Sequence, residues 1–130
     1  MEDNQIFRIA LITVILGLTG MMLLGNKIMP EEVKIKDINK GMIDQDVSIE
    51  GVVKDMSASS RSNTYFLQVI DGTGNTTVVV FDTTALGLSK YNLTPQSFVN
   101  HRVKINGTVQ QYNGNMELIL KDANSIKILV

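Results

Sequence analysis

Cysteine and tryptophan are absent from this 130-residue sequence, which holds a single histidine, His101, and two prolines. Without cysteine there is no disulfide, thiolate metal site, thiol nucleophile or lipidated cysteine. One histidine is too few for an imidazole-based metal site. There is no phosphate-cradling glycine loop ending in lysine, no nucleophile elbow and no histidine–carboxylate constellation. Asp44, Asp46, Asp55 and Asp71 are scattered over turns and strand ends, where aspartate serves local hydrogen bonding. The chain therefore reads as a binding module, not an enzyme, with no catalytic residues, no metal and no cofactor.

An excess of either charge is missing too. Lys and Arg number 12 against 13 Asp and Glu, for a formal net charge of −1. From Glu31 onward the balance is 10 against 11. Nucleic-acid binders are usually basic overall or carry a basic face. A neutral total allows a local basic patch and counts against tight, nonspecific binding to DNA or RNA.

Long apolar runs are confined to one place. Ile9 to Gly25 is an uncharged stretch of 17 residues, extended by Ile6 and Phe7 beyond Arg8 and by Ile28 and Met29 beyond Lys27. A helix rising about 1.5 Å per residue needs about 20 residues to cross a hydrocarbon core. Arg8 and Lys27 stand where long cationic side chains snorkel to headgroups. A cleaved signal peptide would begin basic and end on small residues. This chain begins with Glu2 and Asp3, and its apolar run ends Met21-Met22-Leu23-Leu24-Gly25. A core helix apolar all round would need more protein about it than this chain supplies. Residues 1–29 are therefore expected to form one transmembrane helix, anchoring a single-pass protein in the cell membrane. Lys27, Lys34, Lys36 and Lys40 lean the following domain toward the cytoplasmic side. Three acceptor triplets, beginning at Asn75, Asn92 and Asn106, pull the other way. With 11 Asn and 18 Ser or Thr such triplets arise readily by chance, so the side stays open.

Residues 30–45 read as a linker leading into the soluble domain, with Val33, Ile35 and Ile38 packing on its mouth. Residues 46–130 then alternate apolar and polar at period two. Val47, Ile49 and Val53 alternate with Ser48, Glu50 and Lys54, and Gly51 falls where a strongly bent strand wants no Cβ. Lys54 to Asn63 is small and polar, a loop by composition. Tyr65–Ile70 is the second strand, Asp71-Gly72-Thr73-Gly74 a turn, and Thr76–Phe81 the third strand. From Thr83 to Asn100 the β rhythm breaks into a short helical plug, with Thr94-Pro95 as a cap and first helical position. Val103, Ile105 and Val109 form the fourth strand, Asn113-Gly114 a tight hairpin turn, and Met116, Leu118 and Leu120 the fifth. The apolar run from Ile126 adds an edge strand or extends the last one. Three strands, a helical segment and two strands make the all-β, five-stranded OB-fold Greek-key barrel, here preceded by the N-terminal helix.

Within that pattern, the run Phe66-Leu67-Gln68-Val69-Ile70-Asp71-Gly72-Thr73-Gly74-Asn75-Thr76-Thr77-Val78-Val79-Val80-Phe81 resembles strands two and three of the anticodon-binding OB family. That family occurs in class II aminoacyl-tRNA synthetases and replication-protein-A-like proteins. Val47 to Val53 matches its first strand, and the similarity covers roughly residues 46–122. The resemblance implies a nucleic-acid-binding face on strands two and three, flanked by the loops after strands one and four. With Val47, Ile49, Tyr65, Leu67, Val69, Val78 and Val80 inward, that face exposes Phe66, Gln68, Thr77, Val79 and Phe81. Phe66 matches the family position where an aromatic stacks on a base. Thr77 stands where synthetases often carry a longer, base-reading side chain. Lys54 and Arg61 in the first loop are candidates for phosphate contacts, and Tyr112 in the second for further stacking.

Two readings follow. The first is a membrane-anchored OB module that binds nucleic acid, single-stranded by preference, through Phe66, Gln68, Thr77, Phe81, Lys54, Arg61 and Tyr112. The alternative is an OB module that binds a protein partner at the membrane, favoured by balanced charge and by the anchor. The membrane-tethered haem chaperone of cytochrome c maturation shares the plan of anchor plus barrel. It holds haem on a histidine beyond the barrel, whereas His101 lies within the barrel sequence.

Overall fold

Period-two alternation places one side of each strand against a shared core, and that core decides the architecture. The structure, a computed structural model, describes residues 30–129. Its strands are β1 (Glu31–Glu32), β2 (Asp46–Ala58), β3 (Tyr65–Ile70), β4 (Asn75–Val80), β5 (Arg102–Tyr112), β6 (Asn115–Leu120) and β7 (Ile126–Ile128). One α-helix, α1 (Asp82–Ser89), and a 3₁₀ turn at Pro95–Phe98 lie between β4 and β5.

The sheet closes because β2 is long and bent. Its first half pairs with β5 from Asp46↔Thr108 to Val52↔Arg102, and its second half pairs with β3 from Val52↔Ile70 to Ala58↔Tyr65. Gly51 stands at the changeover, where a Cβ would fall 2.4 Å from the Ile70 carbonyl oxygen. No side chain fits there. The sheet order is β1-β2-β3-β4-β6-β5-β7, with the β2–β5 pairing completing a ring of five strands. β4 and β6 meet in parallel at Val78↔Leu118 and Val79↔Ile119. β1 lies parallel to β2, and β7 is an edge strand on β5.

Inside the ring, Ile49, Val53, Leu67, Val69, Val78, Val80, Val103, Ile105, Val109 and Leu118 have no exposed surface. Each such side chain contributes about 1.5–3 kcal/mol by leaving water. α1 follows β4 directly and turns Thr84 and Leu88, four residues apart, to the barrel. The second helical turn starts where Thr94-Pro95 foretold, with the Thr94 N–H donating to Ser97 Oγ at 3.0 Å. It drives Phe98 into the barrel end, 1 % exposed.

Two expectations need correction. The polar stretch Lys54 to Asn63 is not all loop: β2 runs on to Ala58, leaving only residues 59–64 to turn. Backbone pairing with β3 needs no apolar side chain, and without it the β3 edge would be unsatisfied. Lys54 itself is the extra residue of a β-bulge, between Val53↔Val69 and Asp55↔Gln68. Val79, expected on an exposed face, is 4 % exposed. It sits between Phe66 and Ile119 in register, flanked on both sides once β6 lies beside β4.

The expected anchor, residues 1–29, lies outside the described residues. Among the described residues no helix is long and apolar enough to cross a membrane. Residues 30–45 are tied to the barrel by the buried Ile35, whose N–H donates to Asp71 Oδ2 at 2.9 Å.

Candidate nucleic-acid interface

Residues of β3 and β4 that turn away from the core make two rows across the strands. One row runs Ser57–Phe66–Val79–Ile119, and the next runs Asp55–Gln68–Thr77. Phe66 is half-buried, Gln68 exposed and Thr77 half-buried. An aromatic ring thus adjoins a polar pair on one surface. Gln68 Nε2 donates to Thr77 Oγ1 at 3.1 Å, and the same hydroxyl can instead donate to Gln68 Oε1 at 3.3 Å. Either way the amide keeps hydrogen-bonding capacity for a third group.

The remaining candidates border these rows. Phe81, one residue beyond β4, caps the start of α1 and is 44 % exposed. Tyr65 pairs with Val80, so Phe81 shares its end of the face with the 59–64 loop and Arg61. Tyr112 ends β5 at the opposite end, 62 % exposed, beside the Asn113-Gly114 turn. That turn has φ values of 49° and 81°, as a type I′ hairpin requires. Lys54 and Arg61 are exposed. The ion pairs among the described residues, Arg102–Glu50 and Lys121–Asp46, involve neither. The structure therefore brings Phe66, Gln68 and Thr77 together and sets Phe81, Lys54, Arg61 and Tyr112 around their margins.

Three further residues belong to this surface. Asn75, Asn115 and Glu117 line a mostly polar depression of about 390 Å³ with Thr77 and Gly114. Burial pushes the Glu117 carboxyl up from its ordinary value. The alternation of β6 carried the signal, since Met116, Leu118 and Leu120 inward leaves Asn115 and Glu117 outward. A face drawn on strands two and three alone does not include them. A second cleft, about 400 Å³, opens between Met56, Tyr65 and the α1 side chain of Leu86, which is 64 % exposed. No cluster of metal-ligating side chains occurs among the described residues.

A family model described as an OB-fold nucleic acid binding domain, of the tRNA anti-codon type, matches residues 47–127. The chain belongs to this OB-fold family. Its barrel is a binding module of that family. Among solved structures, a putative aspartyl-tRNA synthetase from Leishmania major is similar with a TM-score of 0.60 and 14% identity, over 76% of this chain and 20% of that one. The asparaginyl-tRNA synthetase of Entamoeba histolytica gives 0.59 and 15% identity, over 78% and 23%. The Stn1-ten1 complex of S. pombe gives 0.50 and 21% identity, over 65% and 57%. At these identities the likeness is one of fold. The chain spans less than a quarter of the length of either synthetase. No curated protein matches the sequence.

Proposed function

We propose that this OB-fold domain binds single-stranded nucleic acid across β3 and β4. The observation that carries the reading is the half-buried Phe66 ring lying beside the hydrogen-bonded Gln68–Thr77 pair on the outer sheet surface. Phe66 offers a face for a base to stack on, worth roughly 1–3 kcal/mol per base. Gln68 and Thr77 offer donors and acceptors to the base edge. Arg61 and Lys54 stand along the β2 side for phosphate contacts, and Tyr112 supplies a second ring at the far end. The apolar run Ile9–Gly25, flanked by Arg8 and Lys27, extends the proposal to a module held at the cell membrane. The lysines at 27, 34, 36 and 40 lean its barrel to the cytoplasmic side.

Two observations favour protein binding as the second reading. The face carries the carboxylates of Asp55 and Glu117, and the α1 cleft exposes Leu86. Fluorescence anisotropy of the full chain in mild detergent, titrated with labelled single-stranded DNA and RNA at low and raised salt, separates the two. Salt-sensitive binding that weakens in Phe66→Ala supports nucleic acid. No binding at tens of micromolar and low salt overturns it in favour of a protein partner.

A further inference from the structure

Three dipeptides in the described chain place an Asn or Asp side chain before glycine: Asp71-Gly72, Asn106-Gly107 and Asn113-Gly114. Such pairs are where a backbone nitrogen can attack the preceding side-chain carbonyl, because glycine brings no Cβ to hinder it. The three environments differ sharply, and only one leaves both reacting groups free.

At Asp71 the carboxylate is fully engaged. It accepts from the N–H groups of Ile35, Thr73 and Gly74 and from Thr73 Oγ1. Burial alone would push its carboxyl up, yet these donors together hold it below the ordinary value, as the unreactive anion. At Asn106 the obstacle is the barrel. Gly107 is interior to β5, in register with Val47 on one side and Leu120 on the other. A Cβ there would stand 3.0 Å from the Ile119 carbonyl oxygen and 3.1 Å from Leu118 Cβ, so the Gly107 backbone is packed between its neighbours and cannot turn its nitrogen toward the Asn106 side chain. Asn106 Oδ1 is itself buried.

Asn113 has none of these restraints. Asn113 and Gly114 are both exposed. No hydrogen bond engages the Asn113 side chain among the described residues, and nothing lies within 4 Å of where a Gly114 Cβ would be. We propose that Asn113 is a modification site, deamidating spontaneously through a succinimide closed by the Gly114 nitrogen. The Gly114 N–H gives its proton to solvent base and the nitrogen bonds to Asn113 Cγ. The Cγ–Nδ2 bond breaks and the amide nitrogen departs as ammonia. Water then opens the ring at either carbonyl, leaving aspartate or isoaspartate. The sum is one water in and one ammonia out, with no redox change.

The product alters the rim of the sheet surface. A new carboxylate enters the turn whose Gly114 lines the depression with Thr77 and Glu117. Isoaspartate also routes the backbone through an extra methylene, which a two-residue type I′ turn cannot absorb without disturbing Tyr112 and Asn115. The modification is independent of the proposed ligand, since it needs only water.

The test is peptide mapping by mass spectrometry of the full chain aged at mildly alkaline pH in ¹⁸O water, folded and in denaturant. In the folded protein, Asn113 is expected to convert at least about tenfold faster than Asn106, the barrel strand opening far more rarely than the turn. In denaturant the two rates should converge, because both are then Asn-Gly in an open chain. Equal rates in the folded protein overturn the proposal. So does an unchanged Asn113 under conditions where the denatured chain converts.

Discussion

Gln68 and Thr77 are hydrogen-bonded across β3 and β4, Nε2 to Oγ1 at 3.1 Å, on the surface proposed to meet nucleic acid. A polar pair at the protein surface adds little to folding, because water replaces either partner. Its value to a ligand is different: the pair fixes the amide plane before a base arrives. Thr77→Val should therefore leave folding stability nearly unchanged, within about 0.5 kcal/mol. Affinity for single-stranded nucleic acid should fall roughly 3- to 10-fold, the net worth of one hydrogen bond. Calorimetry and anisotropy read the two effects. Unfolding without a binding change would make the pair structural.

Phe66 and Leu67 are adjacent in sequence and opposite in role. Leu67 has no exposed surface, so Leu67→Ala should cost about 2–5 kcal/mol of stability. Phe66 lies outside the core cluster, so Phe66→Ala should spare most of the fold. Its binding should drop by about 1–3 kcal/mol, the loss of one stacked base. Equal destabilisation by both variants would place Phe66 in the core and remove it from the site.

The barrel was legible in the sequence because period two and the turn residues speak locally. Gly51, Asn113-Gly114 and Thr94-Pro95 each mark a backbone requirement that a neighbour or two can reveal. Val79 and Lys54 depart from the sequence expectation for a common reason. Their surroundings depend on which strand lies alongside, and neither the parallel β4–β6 pairing nor the bulge at Val53/Asp55 leaves a local trace. The same holds for Glu117, which joins Thr77 only once β6 is laid beside β4.

Electrostatics near the surface are thin, and salt dependence should reflect it. Lys54 and Arg61 are the candidate cations at the margin, set against Asp55 and Glu117. Two phosphate contacts on a single strand give a slope of log K against log salt of about −1.4. Anisotropy at graded salt measures it. A slope several times steeper would mean that phosphates run over a different part of the protein.

Glu117 opposes the usual acid behaviour. Its folded pKa is raised by burial, so it favours the protonated form and contributes stability below its unfolded pKa. That contribution is lost as pH rises through the folded value. Glu117→Gln should therefore stabilise the protein at neutral pH and make no difference well below pH 4, where both forms are neutral. The same change removes a negative charge beside Thr77, so nucleic-acid affinity should rise. Asp46 and Asp71 behave in the opposite sense. Hydrogen bonds from Lys121 and Thr108 hold the Asp46 carboxyl low, and those from Ile35, Thr73 and Gly74 outweigh burial at Asp71. The stability that these two supply is present above the unfolded pKa and lost as pH falls through the folded values. Denaturant melts across pH on wild type and Glu117→Gln separate the contributions, and parallel curves would refute the assignment to Glu117.

Gly51 tests closure itself. A methyl group there meets the Ile70 carbonyl oxygen at 2.4 Å and Val69 Cγ1 at 2.9 Å. The valine could rotate, but the carbonyl belongs to the ladder joining β2 to β3 and moves only with the strand. Overpacking of this kind costs about 1–3 kcal/mol, and more where backbone cannot give. Gly74 provides the control, since a Cβ there meets nothing nearer than Ile35 Cγ2 at 3.4 Å, an ordinary contact. Gly51→Ala should lose several degrees or more of thermal midpoint while Gly74→Ala stays within about 0.5 kcal/mol of wild type. If Gly51→Ala melted like wild type, β2 would not be bending tightly between β3 and β5, and the five-stranded ring would have to close in another way.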